Sequence, residues 1–196
     1  LQSMVNRNTG RKLKGSETKK LGEGEIKRMF SDKHLVMSAQ SNCNVMDFLD
    51  GQIDAIEKAV IKEVKLLYPF EKLLTVPGIG NILGMTIMLE SGDMNRFQEV
   101  SNYSSYCRCV SSKKVSNGKK KGENNKKNGN KYLAWAYVEA ANFMRRFCPQ
   151  ARSWHQRKVS KTNQIVATKA LSNKIARACY FIIKDQTDFD PEMLFE

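Results

Sequence analysis

Eight lysines fall within residues 111–131, Ser-Ser-Lys-Lys-Val-Ser-Asn-Gly-Lys-Lys-Lys-Gly-Glu-Asn-Asn-Lys-Lys-Asn-Gly-Asn-Lys, beside three glycines. Ammonium groups at this density suit a phosphate backbone, because each one neutralises a charge and releases a condensed counterion. The DNA-contacting candidates here are Lys113, Lys114, Lys119, Lys120, Lys121, Lys126, Lys127 and Lys131. The segment also carries Ser111, Ser112 and Ser116. A loop serine is ordinarily a polar turn residue, and its hydroxyl is a weak nucleophile without a base or a metal beside it. A second segment with phosphate chemistry spans residues 70–90, two apolar helical stretches joined at Pro77-Gly78-Ile79-Gly80. Pro77 denies the helical conformation to the residue before it. Gly78 and Gly80 make the turn and leave the backbone uncovered, so that the next helix begins with amides free to bind a phosphate oxygen. This is the pattern of a helix-hairpin-helix motif. A helical hairpin packed only for structure fits the same residues, with Gly84 allowing close approach and Ile79 plugging the gap.

The charge distribution favours the nucleic-acid reading. The chain of 196 residues has a net charge of +13. Residues 101–184 carry nineteen bases against two acids, Glu123 and Glu139, whereas residues 35–100 carry five against nine and residues 185–196 carry five acids and no base. Such a surplus repels itself unless a polyanion neutralises it. A membrane surface fits less well, since the bases crowd a Gly/Asn-rich loop and not one face of an amphipathic helix. The longest apolar run, residues 82–89, is far short of a membrane span. Five cysteines without framework spacing point to a reducing, cytoplasmic setting. Cys107, Cys109, Cys148 and Cys179 lack a second close pair, so buried inert thiols are preferred to a zinc site. His34 and His155 are isolated, and no metal ligand is assigned.

The elements that position these groups are read as all-α. Residues 1–34 form a basic linker and a short helix near 25–30. Residues 35–69 hold one long helix over 35–68, whose Met46, Leu49, Ile53, Ile56, Val60, Val64 and Leu67 recur at steps of three and four. That seam resembles a coiled coil and predicts a partner, either elsewhere in the polypeptide or in a second copy. Residues 70–184 follow as one helical domain with the hairpin at 70–90 and the basic loop at 111–131. Within it, a helix over 97–107 is capped by Ser101. An apolar helix over 132–147 turns Leu133, Ala136, Ala140, Phe143 and Phe147 inward, and helices cover 149–159 and 163–184. Residues 185–196 are an acidic tail.

The order of these motifs resembles the DEDD transposases of the IS-one-ten insertion-sequence group, a family associated with bridge-RNA-guided recombination. The resemblance runs from Leu74-Thr75-Val76-Pro77-Gly78-Ile79-Gly80 through Phe97 and Tyr106 to Ser116-Asn117-Gly118-Lys119. It continues through Lys126-Lys127-Asn128-Gly129-Asn130-Lys131-Tyr132-Leu133 to Glu139-Ala140-Ala141. It implies the carboxy-terminal transposase domain, with Ser116 as the catalytic nucleophile that attacks a DNA phosphate. Three positions depart from the family: Asn117 and Arg108 where it commonly has Gly, and Ser111 where it often has Pro. These departures leave Ser111 and Ser112 as alternatives to Ser116.

The family's four metal-binding carboxylates lie in an amino-terminal RuvC-like domain. The resemblance therefore implies that this domain, with its divalent metal (Mg), is missing from this chain, that no cofactor is held here, and that the chain is inactive alone. The implied partners are DNA, a guide RNA, and a second copy through the helix at 35–68. The implied function is the DNA-binding, serine-bearing portion of a recombinase that moves an insertion sequence by strand cleavage and rejoining. The rival readings are a non-catalytic helix-hairpin-helix binding module and an RNA-associated assembly factor.

Overall fold

In the computed structural model, residues 1–64, 67–110, 113–123 and 128–195 are described, with backbone alone at 68, 113–115, 120, 122 and 123. The helices are α1 (Gln2–Thr9), α2 (Gly15–Thr18), α3 (Glu23–Met29), α4 (Lys33–Val64), α5 (Tyr68–Leu74), α6 (Asn81–Ser91), α7 (Val100–Tyr106), α8 (Lys131–Phe147), α9 (Pro149–Lys161), α10 (Gln164–Asp185) and α11 (Pro191–Phe195). A 3-10 turn covers Met94–Arg96, and an antiparallel ribbon joins β1 (Lys113–Ser116) to β2 (Lys119–Glu123). The fold is all-α with one β-ribbon, and the ribbon replaces part of the loop predicted at 111–131. The chain divides into two compact units, residues 1–59 and 60–196.

In the first unit, the segment predicted as a linker is folded. Val5, Leu13, Ile26 and Phe30 are buried with Ala39 and Cys43 of α4. These apolar residues are too widely spaced to show a period, but short helices bring them together. Gly10 ends α1 in a left-handed conformation (φ 70°) that costs glycine nothing. Glu25 accepts from the Gly22 amide at 3.2 Å and so opens α3. Asp32 opens α4 by accepting from the His34 and Leu35 amides at 2.7 and 3.1 Å. These bonds hold the Asp32 carboxyl below its usual range, the one from Leu35 contributing most. Further along α4, Val45, Phe48, Leu49, Ile53 and Ile56 remain exposed. The described part of the helix reaches Val64, and Tyr68, predicted as its last residue, opens α5. Pro69, which has no N–H to lose, stands in the first turn of α5 instead.

In the second unit α10 is a central, apolar helix packed by α5, α7, α8 and α9. Its Leu171, Ile175, Ala176, Cys179 and Tyr180 are buried with Leu133, Ala136, Tyr137, Ala140, Ala141 and Met144 of α8. Phe143 and Phe147, predicted on the buried face of α8, are exposed, and Tyr137, Ala141 and Met144 take the inner positions. The core carries polar groups that satisfy one another. The Tyr103 hydroxyl lies 2.7 Å from Ser91 Oγ and 2.6 Å from the Tyr137 hydroxyl. Burial raises both phenols well above their ordinary range, so they stay neutral. The five thiols are buried and unpaired, and burial pushes Cys179 up to about 12. The amino cap of α7 falls two residues before the predicted one: its position is Glu99, to which Ser101 donates at 3.0 Å. The acidic tail folds back. Asp188 pairs with Lys72 at 2.9 Å, and the Phe195 ring lies 6.4 Å from Trp154.

Candidate nucleic-acid interface

Of the predicted site residues, Lys131 and Gly78 meet one spine, α8. Its amino end starts at Asn130, whose Oδ1 accepts from the Tyr132 and Leu133 amides at 2.8 and 3.1 Å. The same residue ties α8 to Tyr106 and Glu90. Its amide donates to the Tyr106 carbonyl at 2.7 Å, and its Nδ2 donates to Glu90 at 2.6 Å and to the Tyr106 hydroxyl at 3.4 Å. Gly129 packs directly on the Tyr106 carbonyl with φ 89°, which leaves no room for a side chain. Arg108 completes the clasp by donating to the Gly129 carbonyl from Nε at 3.1 Å and Nη2 at 2.8 Å. Arg108 has φ 53°, a left-handed conformation that glycine would adopt without cost. The Arg96 guanidinium lies 4.5 and 4.6 Å from the Phe97 and Tyr106 ring centroids. The Asn130 amide, and after it Arg96, hold the Tyr106 hydroxyl below the usual phenol range.

In the chain the ribbon lies between Arg108 and Gly129. Ser116 and Lys119 are partners in the ladder, joined by Asn117 (φ 50°) and Gly118 (φ 70°). Two left-handed residues in a two-residue connection make a type I′ turn, whose twist matches that of the strands. Ser116, Asn117, Gly118, Lys119 and Lys121 are all exposed. The backbones of Lys113, Lys114 and Lys120 lie in the ladder, which has a bulge opposite Lys114/Val115. Ser111, Ser112, Lys126 and Lys127 lie outside the described residues. Lys131 is the first residue of α8, its ammonium 4.8 Å from the Tyr132 ring centroid.

The glycine turn meets α8 about eight to twelve residues further on, roughly 12–18 Å along the axis at about 1.5 Å per residue. Here the two glycines play opposite parts. Gly78 has φ 95°, and a methyl group on it would stand 2.6 Å from the Met144 amide nitrogen and 2.9 Å from the Ala140 carbonyl oxygen. It is the point of contact between turn and spine. Gly80 has an ordinary extended backbone (φ −97°) and nothing within 4 Å of a built-on methyl. It precedes α6, whose amino end no side chain caps. Conformational need for glycine thus resides at Gly78, and openness resides at Gly80. Gly84 permits α5 and α6 to touch, since a side chain there would meet the Phe70 ring at 2.9 Å. Ile79 is buried beneath the turn.

Among the described residues, no three His, Cys, Asp or Glu side chains converge on a metal-sized site. No helix among the described residues is long and apolar enough to cross a membrane. Sequence reading missed the clasp residues Glu90, Arg96 and Arg108, whose signal was only a left-handed position beside a charge. It also missed the outward face of α8, where Tyr132, Trp135, Glu139 and Phe143 recur at helical steps of three and four.

The turn of the ribbon and the glycine at the start of α6 are both open to solvent, and lysines and uncapped helix amides are groups that attract anions. The sequence model of the "Transposase IS116/IS110/IS902 family" matches residues 70–156. The matched stretch lies wholly within the second unit. The chain is also 26% identical over 147 residues to a protein of Pseudomonas aeruginosa (PAO1) described as "Probable family 20 transposase". The match covers 73% of this chain and 44% of that relative.

Proposed function

We propose that this chain is the DNA-binding, serine-bearing part of a transposase that moves an insertion sequence by strand cleavage and rejoining. The observation that carries the reading is the exposed type I′ turn, which presents Ser116 beside Lys119 on a lysine-rich ribbon. In this reading Lys119 and Lys121, with Lys113, Lys114, Lys120, Lys126, Lys127 and Lys131, hold phosphates by charge. The open amino end of α6 at Gly80 contributes amides to a neighbouring phosphate. Gly78 serves the same grip by fixing the turn. Ser116 Oγ bonds to phosphorus as the bond from phosphorus to the adjoining nucleoside oxygen breaks, and the serine proton ends on the departing hydroxyl. The lysines offset the negative charge that builds on the phosphoryl oxygens. A divalent metal, magnesium, belongs in this proposal to an acidic domain outside the chain. The reading includes a guide RNA as a second nucleic-acid ligand, a cytoplasmic setting favoured by five unpaired thiols, and self-association through the exposed stripe of α4.

Two measurements test it. Duplex DNA should bind this chain with an affinity that falls steeply with salt. In the doubly substituted Lys119→Ala, Lys121→Ala protein, the slope of log K against log salt should shrink by roughly two, since each phosphate contact contributes about 0.9. An unchanged slope removes the ribbon from the interface. With the complete recombinase, a phosphoserine adduct should map to Ser116 and vanish in Ser116→Ala. If DNA binding persists but strand transfer survives Ser116→Ala, the non-catalytic binding module is the correct reading.

A further inference from the structure

We infer that the outward face of α8 is a stacking platform for unpaired bases, so that the domain takes a single-stranded stretch of nucleic acid beside its phosphate grip. The inference rests on the proposed backbone binding and adds the class of strand. Tyr132, Trp135, Phe143 and Phe147 are 51%, 49%, 38% and 68% exposed, although each ring could bury well over half its surface in an ordinary core. Tyr132, Trp135 and Phe143 project from one face of α8, with Phe147 at its carboxy end. From Tyr132 to Phe147 the helix advances about 22 Å at about 1.5 Å per residue.

The surroundings specify what covers these rings. Lys131 lies 4.8 Å from the Tyr132 ring centroid and the Arg146 guanidinium 5.3 Å from that of Phe143. Cations therefore flank the aromatic row at both ends, in a stretch of chain where bases outnumber acids nineteen to two. A second copy of this chain would set the same cations against them. A strand of nucleic acid supplies both complements, flat faces for the rings and phosphates for the cations. In a duplex the base faces are covered by their neighbours, so only unpaired bases can reach the rings. Phe143 Cβ lies 2.9 Å from where a methyl on Gly78 would stand, so the row ends at the glycine turn. Its other end starts at Asn130, the clasp of the lysine ribbon. Half-buried Glu139 sits between Trp135 and Phe143, an acceptor for a base amino group.

The full 196-residue chain with Trp154→Phe leaves Trp135 as its one indole. It is titrated with a 15-mer of deoxythymidine, a 15-mer of uridine and a 15-base-pair duplex at equal phosphate. The expected result is quenching of Trp135 by the single strands and not by the duplex, the stronger of the two homopolymers naming DNA or RNA as the source. Phe143→Ala and Phe147→Ala should each weaken single-strand binding roughly tenfold and duplex binding by less than about twofold, because stacking acts on bases alone. Thermal unfolding should be unchanged in Phe147→Ala, whose side chain is the most exposed of the row. Equal losses for strand and duplex, or none, overturn the platform while leaving the ribbon's duplex binding intact. A dimer in sedimentation that becomes monomeric in Phe147→Ala, with oligonucleotide affinity unaltered, assigns the face to a second copy and also overturns it. Absence of duplex binding by the unsubstituted chain removes the underlying backbone reading instead.

Discussion

Residues 1–59 and 60–196 solve the problem of apolar surface in opposite ways. In the second unit α5, α7, α8 and α9 pack on α10, and one large buried cluster reaches from Leu73 to Ile183. In the first, the enclosed cluster is confined to a few side chains around Val5, Ile26, Phe30 and Ala39. Beyond it α4 displays Phe48 (65% exposed) and Ile56 (63% exposed). The contrast teaches which surfaces the chain satisfies by itself and which it leaves for another. Polar contacts follow the same division. The second unit buries a chain of hydroxyls at 2.6–2.7 Å, where low dielectric makes each bond count. The first relies on the exposed Lys19–Asp50 pair at 2.8 Å, a type that contributes at most about 1 kcal/mol.

The largest way to break the comparison is Gly78→Ala. A left-handed backbone costs an L-residue about 1–2 kcal/mol, and forcing a methyl into packed backbone adds about 1–3. The second unit should lose on the order of 10 °C in its melting temperature at the usual scaling. Gly80→Ala, with open space and an ordinary backbone, should melt as the unsubstituted protein does. Differential scanning calorimetry of both variants checks this. Equal melting temperatures would mean that the turn does not need its contact with α8.

Next in size is self-association. Phe48→Glu with Ile56→Glu places two carboxylates on the exposed stripe of α4, away from the small core. If the stripe meets a second copy, sedimentation should change from a concentration-dependent dimer to a monomer, with helical circular dichroism retained. A monomer before and after substitution would leave the stripe to a different partner.

Much of the second unit was legible because its signals are local. The Pro-Gly turn, the close approach at Gly84, the buried Ile79 and the strongly periodic α10 follow from residue type and spacing alone. The ribbon was not, because lysines and asparagines dominate its composition and obscure the turn signal in Val115-Ser116-Asn117-Gly118-Lys119. Asn117's tolerance of a left-handed turn was readable; that the turn joined two strands was not. The two glycines of the first candidate segment look alike in sequence. Only the packing of α8 against one of them separates a conformational need from an open backbone. Phe143 and Phe147 were read as core because apolar residues usually are, but the inward stripe of α8 passes through Leu133, Tyr137, Ala140 and Met144 and leaves both rings on the outer side. The folded first unit escaped notice since its few apolar residues are joined by tertiary contact and not by period.

A smaller effect sharpens the comparison from the first unit. Gly51 sits in the interior of α4 with nothing within 4 Å of a built-on methyl. Gly51→Ala should stabilise the helix by about 0.8–1.0 kcal/mol, the ordinary propensity difference. That gain contrasts in sign with Gly78→Ala, which places the same methyl in the second unit. Guanidinium denaturation of the full chain should show the increase. A decrease would mean that the bare backbone at Gly51 touches a partner.

The smallest expected effect concerns His155, which joins α9 to α10 by a 3.1 Å contact between its Nε2 and Thr168 Oγ1. Burial, and after it the charge of Arg145, lower its pKa below the ordinary 6.5. The folded state therefore favours neutral imidazole, while the unfolded chain takes up a proton near its ordinary pKa. Between the folded and unfolded values the unfolded state binds more protons, so stability rises with pH in that window. The contribution is complete above about 6.5 and is lost as pH falls toward the folded value. Unfolding of the second unit should become easier between pH 7.5 and 5.5. His155→Gln, which keeps a hydrogen-bonding side chain and cannot titrate there, should flatten that part of the profile. An identical pH dependence in the variant would mean that the proton is taken up elsewhere.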